Sequence, residues 1–419
     1  MSIPIDLDYP LSDPHMRSML SAFKCTGYVG LIQLIWNMAA VAPPSKQGDS
    51  PMTKIIKDRD GDRVIFDILL RIPEEVIIAL IQNDIGWKYQ NQQSFKKLLP
   101  PTGNYAGIYA NVISFEKREG RFLSSNEVEV YASLVETYCQ KTPKCKVSIS
   151  IDKKTAKHTW NLQDTIGGDR YWIKANGKTW PIGFVQKLRD RVLVGGRLLE
   201  KAQYPKQSPL EVGCAINLQD RMKDHDIEGD MKGSTPAWMV GVNVLKSMDV
   251  RPIRLAFPIV YIMDYDREMQ LAEILITIIS GSMCDKGGYN SHPAGTTSIP
   301  KSAVDYAYLQ EKLYIHHSTP YYSKAVEATF QDLTCRYDAM IVATNLNRSV
   351  PDLTKNLLNP LTADEMKDMM KYLHPEEEIL AGIKEKKQII EDTDYNIDLY
   401  NVILELKSAA KEQVLLDAE

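Results

Sequence analysis

Asp264 and Asp266 stand at alternate positions in "YIMDYDREM", directly after the apolar run "IRLAFPIVYIM". Alternate residues of an extended segment share a face. Two carboxylates on one face can hold magnesium for phosphoryl transfer or hydrolysis. The competing expectation is that they solvate a strand end and cap the helix that follows.

Other fragments fail the spacing their chemistry requires. In "IIKDRDGDRVIFDI", Asp58, Asp60 and Asp62 alternate around Gly61. A calcium loop starting at Asp58 would need glycine at its sixth position and glutamate at its twelfth, where this chain has Arg63 and Leu69. A turn or linker is therefore expected. "NGKT" supplies Gly177, Lys178 and Thr179, but Trp172 occupies the earlier glycine position of a phosphate loop. Gly167 and Gly168 in "TIGGDR" do not match the dinucleotide spacing either. Cys284, Asp285 and His292, with His316 or His317 downstream, lack paired cysteines and a regular ligand interval. Ser282 follows an apolar helix rather than a strand-to-helix elbow. No cofactor and no metal site is assigned, and an enzyme is the less favoured expectation.

The distributed charge is more informative. Residues 141–206 carry fifteen Lys and Arg against five Asp and Glu, whereas residues 361–419 carry seven against fifteen. Basic side chains can neutralise phosphates, and aromatic rings among them can stack bases without reading sequence. The candidate nucleic-acid-binding set is Lys153, Lys154, Lys157, Arg170, Trp172, Lys174, Lys178, Lys187, Arg191 and Arg197, with Tyr204 and Lys206 closing the region. Phosphates and stackable bases are common to RNA and DNA, so both remain open as partners.

These residues need elements to position them. An apolar helix is expected over residues 16–42, followed by the proline-rich loop "APPSKQGDSP". Tyr28–Ala42 is shorter than the roughly 20 residues that span a bilayer, and Gln33 and Asn37 interrupt it. A buried helix is therefore expected, and no transmembrane segment. Pro73, Glu74 and Glu75 open a second helix. "NYAGIYANVISF" reads as a strand. Ser124 and Glu127 have capping-box spacing at the head of a third helix. "CKVSISID" alternates like a strand, and "RYWIKANGKTWPIG" like a hairpin about Asn176-Gly177. "FVQKLRDRVLVGGRLLEKA" reads as a helix broken or capped near Gly195-Gly196. "IRLAFPIVYIM" is a strand whose Pro258 requires an edge or a bulge. "MQLAEILITIISGSM" is a buried helix, "DAMIVATN" a short strand, and Thr362 with Glu365 caps a later helix.

The expected fold is α+β, predominantly helical, with short mixed strands in the middle and a helical acidic C-terminal region. The expected segments are 1–50, an apolar helix and loop that could act as an interaction arm; 51–215, an α+β region with a basic surface; 216–360, a second α+β lobe; and 361–419, an acidic helical assembly region. Ile397, Tyr400, Ile403 and Leu406 recur at helical intervals and could dock on a neighbouring copy, which makes a homo-oligomer the expectation. Six scattered cysteines without a CxxC pair fit the cytoplasm or another reducing intracellular compartment. The function read from these features is nonenzymatic: a self-assembling nucleic-acid-binding protein with a nucleocapsid-like role. The alternatives are a magnesium-dependent enzyme using Asp264 and Asp266, and a shell or scaffold without nucleic acid.

Overall fold

A computed structural model of the chain describes residues 13–41, 51–60, 64–155, 160–176, 180–194, 197–198, 204–229, 231, 233–248, 250–263, 265–292, 294–295, 320–345 and 362–373. The fold is α+β and predominantly helical. The helices are α1 (Pro14–Val41), α2 (Pro51–Asp60), α3 (Val64–Leu70), α4 (Glu74–Gln82), α5 (Ile85–Asn91) and α6 (Gln93–Lys96). They continue with α7 (Ser125–Cys139), α8 (Lys146–Thr155), α9 (Leu162–Gly167), α10 (Tyr171–Asn176) and α11 (Trp180–Arg191). The last are α12 (Leu218–Asp224), α13 (Pro236–Leu245), α14 (Tyr265–Ser280), α15 (Pro320–Asn345) and α16 (Ala363–Leu373). The strands are β1 (Gly107–Phe115), β2 (Leu193–Val194), β3 (Arg197–Leu198), β4 (Leu210–Ala215) and β5 (Pro252–Tyr261). Two compact units divide the chain, Met1–Ala325 with Lys355–Pro360, and Val326–Thr354 with Leu361–Glu419.

In the first unit, β1 is the centre of an antiparallel sheet of order β4-β1-β5. All nine β1 residues are buried, so both of its faces are covered, which explains its near-continuous apolar sequence. Pro258 lies where the β1–β5 register slips, on an edge strand, as its missing N–H demands. The outer edge of β4 is closed by Asn290. Its side-chain amide accepts from Val212 N at 2.8 Å and donates to Val212 O at 2.7 Å, substituting for a neighbouring strand.

A second apolar centre forms around Phe184 of α11. Its ring meets Tyr131 of α7, Trp172 of α10 and Tyr289 at centroid distances of 6.3, 5.7 and 5.3 Å. α1 packs on α2, α3 and α4. It is long and apolar enough, by length and composition, to cross a membrane, and most of its apolar window is buried within the chain. The polar interruptions Gln33 and Asn37 are both buried and hydrogen-bond each other at 3.3 Å.

Several local expectations are met. The Ser124–Glu127 capping box opens α7, and Thr362–Glu365 opens α16. Asp58 and Asp60 lie in α2, and the Asp58 carboxylate accepts from Val64 N at 2.7 Å at the head of α3; Gly61 and Asp62, where the turn is expected, lie outside the described residues.

Three expectations are corrected. "CKVSISID" is the helix α8, not a strand. Its buried positions are Ser148, Ile151, Asp152 and Thr155, a helical face that is mostly polar and so leaves no apolar stripe. The proposed hairpin at residues 170–183 is instead α10 followed by α11. Burial of Trp172 and tertiary acceptors for the first amides of α10 overrode the turn chemistry: Trp172 N donates to Tyr138 Oη at 3.1 Å. "DAMIVATN" continues α15. Pairs four residues apart, Glu327–Gln331 at 2.8 Å and Asp332–Arg336 at 2.7 Å, support that helix upstream. In the second unit, Leu333, Met366 and Met369 are buried, and Thr334 Oγ1 meets Met370 Sδ at 3.4 Å.

Candidate nucleic-acid interface

Three separated segments bring aromatic rings and cations together. α5 and α6 carry Trp87, Lys88, Tyr89 and Lys96. The turn after β1 carries Arg118 and Arg121. The approach to β4 carries Tyr204 and Lys206. Lys206 Nζ lies 4.3 Å from the Trp87 ring centroid, and the Arg121 guanidinium carbon lies 5.9 Å from it. Lys96 sits 5.0 Å over Tyr89, and Arg118 lies 4.3 Å over Tyr204. Each such contact contributes about 0.5–1 kcal/mol at a solvated site.

The turn is built to hold this arrangement. Lys117, Glu119 and Gly120 all have left-handed backbone, with φ of 64°, 50° and 80°. The two non-glycine residues each store about 1 kcal/mol or more of strain. A Cβ at Gly120 would meet Gly86 O and Trp87 Cα, each at 2.6 Å, so only glycine lets the turn lie against α5. Asn91 Nδ2 ties the two segments by donating to Trp87 O and Glu119 O, both at 2.7 Å. Arg121 Nη1 donates to Tyr204 O at 3.1 Å, and Phe122 N to Pro205 O at 2.9 Å.

The cations are not equivalent. Arg118 makes a bidentate pair with Glu127 at 2.9 and 2.7 Å, so it positions rings more than it offers charge. Burial works against ionisation of Glu127, but the bonds from Arg118 and Ser124 hold its carboxyl below the ordinary carboxylate range. Lys88 pairs with the buried Asp84 at 3.3 Å. Lys96, Arg121 and Lys206 lie at the rings, and the neighbouring Lys97 and Lys117 are exposed.

The residues expected from sequence scatter differently. Lys153 and Lys154 are exposed on the last turn of α8. Lys141, Lys144 and Lys146 form an exposed basic loop leading into that helix. The loop is held from beneath by Arg170, which is buried. Its guanidinium donates to the carbonyls of Tyr138, Gln140, Thr142, Thr165 and Asp169 at 2.6, 2.7, 2.8, 3.1 and 2.6 Å. Arg170 and Trp172 are thus interior residues and offer no surface to a phosphate or a base. Arg191 is also buried, bonded to Asn83 Oδ1 at 2.8 Å, and Lys187 is paired with Asp13 at 3.3 Å. Lys174 lies in α10 and Arg197 in β3. Lys157, Lys178, Ile397, Tyr400, Ile403 and Leu406 lie outside the described residues.

The basic loop and the aromatic patch flank opposite ends of α7, whose fifteen residues rise about 22 Å. Between them, Arg189 bonds both Glu129 and Glu136 of α7, at 2.8 and 2.6 Å, and offsets the acidity of that helix.

Asp266 is exposed in the first turn of α14, the position of a helix-end carboxylate; Asp264 lies outside the described residues. Among the described residues, no cluster of three His, Cys, Asp or Glu could hold a metal ion. Ser234, His225 and Glu211 superficially resemble a triad. Yet Ser234 Oγ and Glu211 Oε2 both approach His225 Nδ1, at 2.6 and 3.3 Å, while Nε2 faces Tyr109 Oη at 2.9 Å. A triad needs serine and acid on opposite nitrogens. This cluster instead fastens the segment after α12 to the sheet. Burial opposes ionisation of Glu211, but the neighbouring His225 and hydrogen bonds from Thr235 N and Asn111 hold its carboxyl below the usual range.

No known protein family, curated protein or solved structure matches this chain.

Proposed function

We propose that this protein binds single-stranded nucleic acid without base-specific readout and self-assembles upon it, a nucleocapsid-like role. The observation carrying the proposal is the convergence on Trp87 of Arg121 and Lys206 from two other segments of the chain, with Tyr204 under Arg118 and Tyr89 under Lys96 as further ring–cation pairs. A base stacked on such a ring contributes about 1–3 kcal/mol, and a displaced ammonium remains within reach of the adjoining phosphate. The exposed Lys141, Lys144, Lys146, Lys153 and Lys154 extend the positive surface beyond the other end of α7. A flexible strand can follow such separated sites, whereas a duplex keeps its bases stacked inside.

The test is fluorescence anisotropy of labelled single- and double-stranded RNA and DNA across a salt series. Tighter binding of the single strands, weakening steeply with salt, supports the reading. Absence of binding to every strand at low salt refutes it. RNA and DNA of one sequence, compared in parallel, measure the contribution of the 2′-hydroxyl.

Self-association is proposed to involve the terminal segment with Ile397, Tyr400, Ile403 and Leu406. Truncation after Asp394 should shift the sedimentation profile toward smaller species while leaving the thermal melt in place. Unchanged sedimentation with an unchanged melt removes the segment from assembly, and a collapsed melt assigns it to the chain's own core.

A further inference from the structure

A second charged feature lies away from the aromatic patch. A cleft with a cavity volume of about 20 Å³ is lined by Asp13, Lys187, Asp190, Arg191, Gln207 and Lys286. That is room for one or two water-sized groups at the cleft floor. Arg191 is 6 % exposed and makes no ion pair among the described residues. Its Nη2 donates to the neutral acceptors Asn83 Oδ1 and Gly287 O, at 2.8 and 3.2 Å. Its Nε is buried with no hydrogen-bond partner among those residues. A buried guanidinium with an idle N–H and no carboxylate in contact is costly unless an anion completes it.

The fold places the other cations deliberately close. Gly287 has φ +84°, and a Cβ there would lie 2.8 Å from Lys187 Cβ and 3.4 Å from Arg191 Nε. The glycine lets the Cys284–Lys286 turn rest on α11, which brings Lys286 to the same cleft wall. Lys286 is exposed and has no ion-pair partner among the described residues. Asp13 and Asp190 both engage Lys187, at 3.3 and 3.8 Å. Three cations therefore face two carboxylates, and the carboxylates retain acceptor positions.

We infer that this cleft binds the terminal oxygens of a phosphoryl group, with Arg191 and Lys286 donating to its oxygens. Asp13 or Asp190 accepts from a P–OH of the singly protonated form. This donor–acceptor mixture separates phosphate from sulfate, which carries no proton at neutral pH. The inference stands independently of the aromatic patch. The phosphoryl group could belong to a free ligand or to the end of a nucleic-acid strand.

The test titrates the full chain with inorganic phosphate, then sulfate, against chloride at matched ionic strength, reading melting temperature and ³¹P line width. Phosphate should raise the melting temperature saturably and broaden the resonance, with sulfate clearly weaker. Lys286→Gln, which removes a side chain with no hydrogen bond or ion pair among the described residues, should weaken phosphate about tenfold. Arg191→Gln should weaken it further, and is read only if its melt stays cooperative. The joint variant Arg121→Gln/Lys206→Gln should retain the full response. No saturable response in the native chain, an unchanged response in Lys286→Gln, or equal binding of sulfate overturns the inference. Oligonucleotides with a 5′-phosphate or a 5′-hydroxyl separate the two sources. A preference for the phosphorylated strand that Lys286→Gln abolishes places a strand end in the cleft. Equal binding of the two strands beside a retained phosphate response assigns a free ligand. If no strand binds but phosphate still does, the nucleic-acid reading falls and the cleft stands.

Discussion

Replacing Arg121 and Lys206 together by glutamine tests the aromatic patch most directly. Both cations lie over Trp87, and Arg121 also bonds Tyr204 O, so the double change removes two cation–ring contacts and one hydrogen bond. Those losses amount to about 2–3 kcal/mol of stability, which the melt of the variant measures separately. The effect on binding follows from counterion release. Each phosphate contact on a single strand contributes about 0.7 to the slope of log affinity against log salt. Losing two contacts should lower the slope by about 1.4. Between about 50 and 200 mM salt, the variant's affinity should then fall about sevenfold less than that of the native chain. Anisotropy titrations at four or more salt concentrations give the slope. A matched variant, Lys24→Gln with Lys223→Gln, removes two exposed lysines from α1 and α12 and should leave the slope unchanged. Equal slopes for the native chain and the Arg121/Lys206 variant, with both folded, would refute the assignment of these side chains to phosphate.

Arg170→Gln should lower stability by about 3 kcal/mol or more, because five buried or half-buried carbonyls lose their donor; denaturant melts check it, and a near-neutral outcome would return Arg170 to the candidate surface. Gly120→Ala imposes a left-handed alanine and a backbone clash at 2.6 Å, so a loss of about 2 kcal/mol or more is expected, together with weaker oligonucleotide binding as the turn leaves α5. The Glu211 carboxyl is held below its unfolded value, so its stabilising effect is present above about pH 4.3 and is lost as pH falls through the folded value. Glu211→Gln should therefore be less stable at neutral pH, by about 3 kcal/mol, and show a flatter acid limb in melts recorded across pH 3–6; an acid limb as steep as the native one would contradict the assignment.

Secondary structure was legible wherever local chemistry and tertiary packing agreed. The capping boxes at Ser124 and Thr362 work because both partners lie within one turn. Pro258 marks an edge strand because a missing N–H has the same consequence in any fold. β4 was not anticipated, since Glu211 and Gly213 break its apolar pattern. Their roles are tertiary: Glu211 serves the Asn111–His225 network, and a Cβ at Gly213 would lie 2.3 Å from Tyr109 Oη. α8 misled for the converse reason. Its buried face is polar because Asp152 accepts from Tyr138 Oη at 2.6 Å and Thr165 Oγ1 at 2.7 Å.

Charge along a chain is a poor proxy for charge on a surface, and the candidate interface shows why. Residues 141–206 are strongly basic in sequence, yet Arg170 holds backbone carbonyls, Arg189 is bound to two glutamates, and Arg191 lies buried beside Asn83. An arginine has five N–H donors in a fixed fork, so it is the residue best able to organise loop carbonyls and carboxylates. In this region Arg170, Arg189 and Arg191 do that work, while exposed positive charge is carried by lysines on the loop before α8 and on α8 itself. Trp87, Lys96 and Arg121 lie outside the basic stretch altogether. Of these, Trp87 reaches Lys206 and Arg121 reaches Tyr204 because the glycine at 120 lets the β1–α7 turn touch α5. No spacing rule could join residues 87, 121 and 206. The sequence-level cue that did exist was a Trp-Lys-Tyr run beside a lysine pair, "WKYQNQQSFKK", in which aromatic and basic residues alternate at the end of an otherwise apolar helical segment. An aromatic residue left half-covered at such a point requires either a partner from elsewhere in the chain or a ligand. Here the partners are cations, held by solvated contacts of modest strength that a base and its phosphate can replace together.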